Sequence, residues 1–358
     1  MNSSLDKSSK FQPLLNAQNI IYAGITWAVL ALLFYLLFST PIPGEDRPFW
    51  YSISTYVFEQ VPFLVAAILC LRNWRSPQIA SGRKVWLGIG LGMLSYFIGN
   101  LVFGWWELYW GLDPDVSPAD LFFIGFYLFL AWGMFLAVVN RRLNLELWQW
   151  GIVGGIAAGA ITLAIWLSLS SPVQAQPLSA SASPPTLQKR VSTPSALIAA
   201  SPRQSPPVRQ LQQAKPTAQA NPATAKPSKT PAAGATSEKP SSAPQWVLSM
   251  QQALQPLGNP LGLFYIICDV LLLIIATILL LGFWGGRLAQ SWRMLAAGTF
   301  CFYIADMWFN YATNYISDYQ SGFLLEVFWV FSGVLFAIGA VLEYENSSRS
   351  RRGGRKRA

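Results

Sequence analysis

Long, evenly apolar runs alternate with short polar ones along most of this chain. Eight runs, near 20–39, 50–71, 86–109, 121–139, 151–170, 261–283, 294–316 and 324–342, are long enough to cross about 30 Å of hydrocarbon at 1.5 Å per residue. The second is the least uniform, because Ser52, Ser54, Thr55, Glu59, Gln60 and Pro62 crowd its first half. A membrane β-barrel would need alternating polarity in segments of about ten residues, and these runs are continuous. The pattern therefore predicts an all-α integral membrane protein with eight transmembrane helices.

The runs are also related to one another. Shifting residues 86–136 by 206 positions aligns them without a gap: Trp86 meets Trp292, Gly92 meets Gly298, Ile98 meets Ile304, Phe103 meets Phe309, Tyr109 meets Tyr315, Phe122 meets Phe328 and Gly133 meets Gly339. Polar positions follow, Asn100 with Asp306 and Asp120 with Glu326. The expected arrangement is two parallel four-helix repeats related by an axis along the membrane normal. Residues 20–170 form the first membrane half, with helices one to five, and 246–342 the second, with helices six to eight. A tail, 1–19, precedes them and a basic tail, 343–358, follows.

Composition agrees with the pattern. The chain is 53% hydrophobic and 11% charged, which excludes an ordinary soluble domain of this length. Lys and Arg gather at Lys7 and Lys10, at Arg72, Arg75, Arg83 and Lys84, at Arg141 and Arg142, at Arg287 and Arg293, and from Arg349 to Arg357. The alternate short loops carry Glu45, Asp46, Asp113, Asp115 and Asp318, with Arg47 the exception. The positive-inside rule then predicts cytoplasmic N- and C-termini. The net charge of +9 reads as a topology signal plus a tail that meets anionic lipid, and no nucleic-acid partner is expected.

Residues 171–245 separate the halves with a Pro, Ala, Ser and Gln-rich stretch, expected to be a disordered linker on the outer side. Long loops translocate largely regardless of charge, so its basic residues do not oppose that placement. The helix before it, led by Arg141 and Arg142 and followed by Val173-Gln174-Ala175, has the layout of a cleavable signal segment. An intact internal helix is the preferred reading, with cleavage after Ala175 left open. The stretch 245–256 predicts a short interfacial helix.

Aromatic residues cluster where head groups should lie. Phe49, Trp50, Tyr51, Trp105, Trp106, Trp110 and Tyr315 mark the outer boundary, and Trp74, Trp86, Trp148, Trp150, Trp284 and Trp292 the inner one. Gly151, Gly155 and Gly159 share one helix face and predict close helix approach within the bundle, with association between copies left open.

Few side chains could carry chemistry. The chain has no histidine, which excludes His-ligated haem, the common zinc sites and His-based acid–base catalysis. Cys70, Cys268 and Cys301 stand isolated in apolar runs and read as buried thiols. No cofactor, metal centre or catalytic residue is expected.

Glu59, Asp269 and Asp306 lie inside predicted spans, with Asn100 at the position equivalent to Asp306. Burying an ionised carboxylate costs several kcal/mol, so such residues face a cavity, pair with a cation or keep a proton. No Lys or Arg lies within a span to pair with them. Glu59 and Asp269 both fall about nine or ten residues from the outer ends of their helices, roughly 15 Å deep, and are expected to approach each other across the pseudo-two-fold axis. Two readings stay open: a polar outward-facing cavity for a cation, proton or small polar ligand, or protonated acids that bond neighbouring helices. Ser117-Pro118-Ala119-Asp120 reads as a helix start, with Ser117 the cap, Pro118 at the first position and Asp120 closing a capping box.

Several of these residues carry a resemblance. Gly99-Asn100, the Ser117–Asp120 start followed by Phe122, Phe123 and Tyr127, Ala305-Asp306-Met307-Trp308-Phe309, and Leu325-Glu326-Val327-Phe328-Trp329 resemble the multi-helix membrane region found ahead of bacterial diguanylate cyclase and phosphodiesterase domains. It covers about 50–140 and 260–342, and Asn100 stands where that pattern usually has Asp. The resemblance implies a membrane sensor or regulatory module in a bacterial cell membrane. With only 343–358 after the last helix, a signal is expected to pass to a membrane or cytoplasmic protein partner. An ion-coupled transporter is the alternative, and an enzyme acting on lipids or lipid-linked substrates the third reading.

Overall fold

A computed structural model describes residues 17–40, 47–112, 116–140, 145–169, 243–284, 288–316 and 319–355. Among them the regular structure is all helical: α1 (Ala17–Phe38), α2 (Phe49–Arg75), α3 (Arg83–Gly104), α4 (Asp120–Asn140), α5 (Leu147–Leu169), α6 (Gln245–Leu254), α7 (Gly258–Gly282), α8 (Ala289–Tyr315) and α9 (Val327–Arg355). A π-helical turn, Trp105–Tyr109, extends α3, and single 3-10 turns, Gln255–Leu257 and Leu324–Glu326, lead into α7 and α9. Ala175 and nearly all of 171–245 lie outside the described residues.

Seven helical stretches are long and apolar enough to cross a membrane: α1, α2, α3 with its π turn, α4, α5, the α6–α7 segment and the segment containing α9. The run expected as a seventh span forms α8, which has the length but not the apolarity. Its place explains this, since α8 packs between α7 and α9 and turns polar side chains inward.

Six helices close a ring in the order α2, α3, α4, α7, α8, α9 and back to α2. Close helix approach sets its walls. A Cβ on Gly88 would lie 2.6 Å from the Cα of Gly133, so α3 and α4 touch backbone to backbone. The same register recurs 206 positions on. Gly92 abuts the Phe126 carbonyl and Leu130, and Gly298 abuts the Ser332 carbonyl and Phe336. Gly133 abuts the Val85 carbonyl and Ile89, and Gly339 abuts the Ser291 carbonyl and Leu295.

α3 and α8 face each other across the ring through aromatic side chains. Trp86 meets Trp292, Tyr96 meets Phe302 and Phe103 meets Phe309, with ring centroids 6.4, 5.4 and 6.3 Å apart. Trp86, Trp106 and Trp292 are fully buried and Tyr51 nearly so, which removes them from the expected belts; Trp50, Trp105, Trp148, Trp150 and Trp284 stay exposed.

Three helices lie outside the ring: α1, α5 and the short α6. α1 rests mainly on α9, and α2 is pinned to it by a bond that proline makes available. Pro62 has no N–H to give the Phe58 carbonyl one turn earlier, and Trp27 Nε1 donates to that carbonyl at 2.9 Å. α5 rests on α7. Added Cβ atoms at Gly151, Gly154, Gly155 or Gly159 would meet nothing within 4 Å, so among the described residues this glycine face is not used for close packing.

α9 continues past the expected end at 342. Glu343 is fully buried and accepts from the Ser81 hydroxyl at 2.7 Å, which itself accepts from Trp86 Nε1 at 2.7 Å. The first turns after 342 thus belong to the bundle, not to a separate tail. Cys70 is buried, but Cys268 and Cys301 are half-buried.

Candidate functional site

The intramembrane acids are held by tyrosines. On α7, Asp269 is almost fully buried, and α4 brings Tyr127 to it. The Tyr127 hydroxyl lies 2.7 Å from Asp269 Oδ1 and 2.5 Å from Asp306 Oδ2 on α8, so one phenol bridges two carboxyls. Trp329 Nε1 on α9 donates to Asp306 Oδ1 at 2.6 Å. Asp306 is half-buried, whereas Oδ2 of Asp269 is buried without a hydrogen-bond partner.

Glu59 on α2 has its own tyrosine. Tyr96 on α3 donates to Glu59 Oε1 at 2.5 Å, and its ring stacks on Phe63 with centroids 4.0 Å apart. Asn100, one turn further along α3, borders the Glu59 carboxyl, and its buried Nδ2 makes no well-directed hydrogen bond. Phe302 lies between the two groups, its ring 5.4 Å from Tyr96 and 6.0 Å from Tyr127. Glu59 and Asp306 remain within electrostatic reach of each other.

The expected partnership of Glu59 with Asp269 is therefore not the one the fold makes: Asp269 is joined through Tyr127 to Asp306, and Glu59 is bonded to Tyr96. Helix register gives the reason. Tyr56 packs on Gly104 as Gly262 approaches Asn310, and Pro62 and Phe63 pack on Gly333 where Asp269 meets Tyr127. Carried across 206 positions, these contacts put Asp269 in the place of Phe63 and Tyr265 in the place of Glu59. The two acids are therefore four residues out of register, about one turn or roughly 6 Å along the helix axis, an offset that counting from the helix ends concealed.

Ser117 and Asp120 meet in the turn that leads into α4, whose first residue is Asp120. The Ser117 backbone N–H donates to Asp120 Oδ2 at 2.8 Å, and Ser117 Oγ accepts from the Ala119 N–H at 3.3 Å. The second oxygen of Asp120 has a further role. Tyr265 on α7 donates to Oδ1 at 2.5 Å, linking the start of α4 to α7.

The π-helical turn after α3 and the turn before α9 carry a second group of acids. Glu107, in the π-helical turn, accepts from Tyr56 at 2.5 Å and from Ser321 at 3.0 Å. Glu326 accepts from Tyr319 at 2.5 Å and from the Gly322 and Phe323 N–H groups at 2.6 and 2.9 Å. Burial beside Glu326 pushes the Tyr319 phenol well above its ordinary range, so it stays a donor. Arg47 and Tyr51 both donate to the Gly322 carbonyl, at 3.1 and 2.6 Å, and Arg47 lies over the Phe323 ring. These contacts satisfy the group and tie the loop before α9 to the start of α2, a structural role.

Tyr96 and Tyr265 were not singled out from sequence, and Tyr127 and Trp329 entered only among the residues that carry the resemblance, with no role of their own. Two signals were available: Tyr96 stands one helical turn before Asn100, and Tyr265 stands 206 positions after Glu59. Among the described residues no group of three or more His, Cys, Asp or Glu has the geometry of a metal centre. No family model, curated protein or solved structure matches this chain.

Proposed function

We propose that this chain is a non-enzymatic membrane sensor or regulatory module, with eight crossings in two parallel four-helix repeats and an intramembrane acid cluster as its responsive site. It acts through a membrane or cytoplasmic protein partner. The observation that carries the reading is the Asp269–Tyr127–Asp306 bridge at the junction of α4, α7 and α8, with Glu59 and Tyr96 beside it. Buried acids without counter-ions are expensive in a membrane and mark sites that respond to ions, protons or polar ligands.

The repeat reading draws support from the contacts of residues 206 positions apart. A residue meets its own repeat copy only on the symmetry axis, and Trp86, Tyr96 and Phe103 all do so. The acids fall close to that axis, where a small change in one half is felt by the other. The positive-inside pattern supports cytoplasmic termini, and the resemblance to sensor regions supports signalling over transport.

A small ion-coupled transporter is the second reading, favoured by the same carboxyls and symmetry. Purification of the full chain in mild detergent, with mass spectrometry of what is retained, separates the two. Retention of a protein partner that is lost on Tyr127→Phe supports the regulator. Absence of any partner, with ion flux through proteoliposomes that needs Asp269 and Asp306, overturns it in favour of the transporter.

A further inference from the structure

We infer that the ligand of the intramembrane site is a proton, held on Asp269 and passed through Tyr127 to Asp306. The inference rests on the reading that this acid cluster is the responsive site, and it names what the site responds to.

Hydrogen counting carries the argument. The Tyr127 hydroxyl contacts a carboxyl oxygen on each side, at 2.7 and 2.5 Å, but a phenol brings one hydrogen. Two ionised carboxylates bring none. Both contacts become hydrogen bonds only if one carboxyl carries the second hydrogen. Asp306 receives a fixed donor, the Trp329 indole N–H at 2.6 Å, which suits an anion. Asp269 has no such donor, and its Oδ2 is buried without a partner. The hydrogen therefore sits on Asp269, which donates to Tyr127 Oη, while Tyr127 donates to Asp306.

The same geometry allows the proton to move. Asp269 gives its hydrogen to Tyr127 as the Tyr127 hydrogen passes to Asp306. One O–H bond forms at each acceptor and one breaks at each donor. The negative charge moves from Asp306 to Asp269, and the number of hydrogens is unchanged. Asp306 is the more exposed of the two acids.

The surroundings favour a proton over a metal ion. Tyr127 occupies the place a cation bridging the two carboxyls would take. The neighbouring titratable groups are Glu59 on α2, Tyr96 on α3, Asp120 on α4, Tyr265 and Cys268 on α7 and Tyr303 on α8. α5, which packs on α7, contributes none. Among the described residues Lys and Arg occur only near helix ends, at Arg47, Arg72, Arg75, Arg83, Lys84 and Arg293 and in the last turns of α9. No described cation balances two ionised aspartates.

Infrared difference spectroscopy of the full chain in lipid nanodiscs tests this. The C=O band of a protonated carboxyl is expected at neutral pH, reduced by one carboxyl in Asp269→Asn and kept in Asp306→Asn. It should fade as pH rises and ignore sodium, potassium or calcium chloride. If Asp269→Asn does not fold, Tyr127→Phe serves, because removing the acceptor should shift the Asp269 band; an unmoved band overturns the inference. Loss of the band on adding one of those salts at constant pH makes the site a cation site, so the inference falls and the regulatory reading stands. A band that behaves as expected, with partner retention unchanged by pH and by Asp269→Asn, leaves the proton in place and overturns the regulatory reading.

Discussion

The indole rings of Trp86 and Trp292, 206 positions apart in the chain, meet at the centre of the helix ring with centroids 6.4 Å apart, both fully buried. They are not equivalent in hydrogen bonding. Trp86 Nε1 donates to Ser81 Oγ at 2.7 Å, whereas the Trp292 Nε1 is buried without a partner. Truncation of a buried Trp to Ala costs about 3–5 kcal/mol, and Trp86→Ala is expected to cost more than Trp292→Ala. Because the rings touch, the double mutant should fall short of the sum by about 0.5–3 kcal/mol. Reversible unfolding in lipid or mixed micelles measures this, and strict additivity would show that the two rings do not support each other.

Trp27 and Pro62 should be coupled without touching. Trp27 serves the Phe58 carbonyl that Pro62 leaves unbonded. An interhelical hydrogen bond in a membrane bundle is worth about 0.6 kcal/mol on average, at most about 1.7. Trp27→Phe is expected to cost within that range in the native background. With Pro62→Ala, a backbone amide competes for the same carbonyl and the cost should shrink. An equal cost in both backgrounds would contradict the proposed use of the freed carbonyl.

Glycines on α4 and α5 should respond oppositely to alanine. A Cβ on Gly133 would lie 2.7 Å from the Ile89 nitrogen, backbone that cannot step aside. Overpacking of this kind costs about 1–3 kcal/mol. Gly155 faces open space, and Gly155→Ala should be neutral or gain up to about 1 kcal/mol from helix propensity. Thermal stability in detergent separates the two. A strong loss at Gly155 would instead reveal a contact made outside this chain.

The inferred topology puts the linker outside and the end of α9 inside. In intact cells an impermeant thiol reagent should label Ser201→Cys and leave Ser348→Cys untouched until the membrane is opened. Labelling of Ser348→Cys in sealed cells would invert the topology. The native thiols at Cys70, Cys268 and Cys301 are buried or half-buried, so they add little background.

The sequence by itself determined the class of molecule. Continuous apolar runs gave the helices, because only internally bonded helices satisfy their backbone in hydrocarbon, and α1 to α5, α7, α8 and α9 all fall on predicted runs. The 206-position shift already held the contact register of α3 with α4 and of α8 with α9, since glycines at matching positions make matching close approaches. The sequence also showed that Glu59, Asp269 and Asp306 were costly residues in need of an explanation. The tertiary structure decided which of them meet. Position can be counted from a helix end, but neither the register of a helix against its neighbours nor direction around its axis can be read once most of its faces are apolar. Tyr127 therefore looked like one more aromatic until α4 was packed against α7. Trp86, Trp106 and Trp292 looked like interfacial residues until the ring closed around them, because a one-dimensional hydropathy pattern does not separate a tryptophan facing head groups from one facing the core.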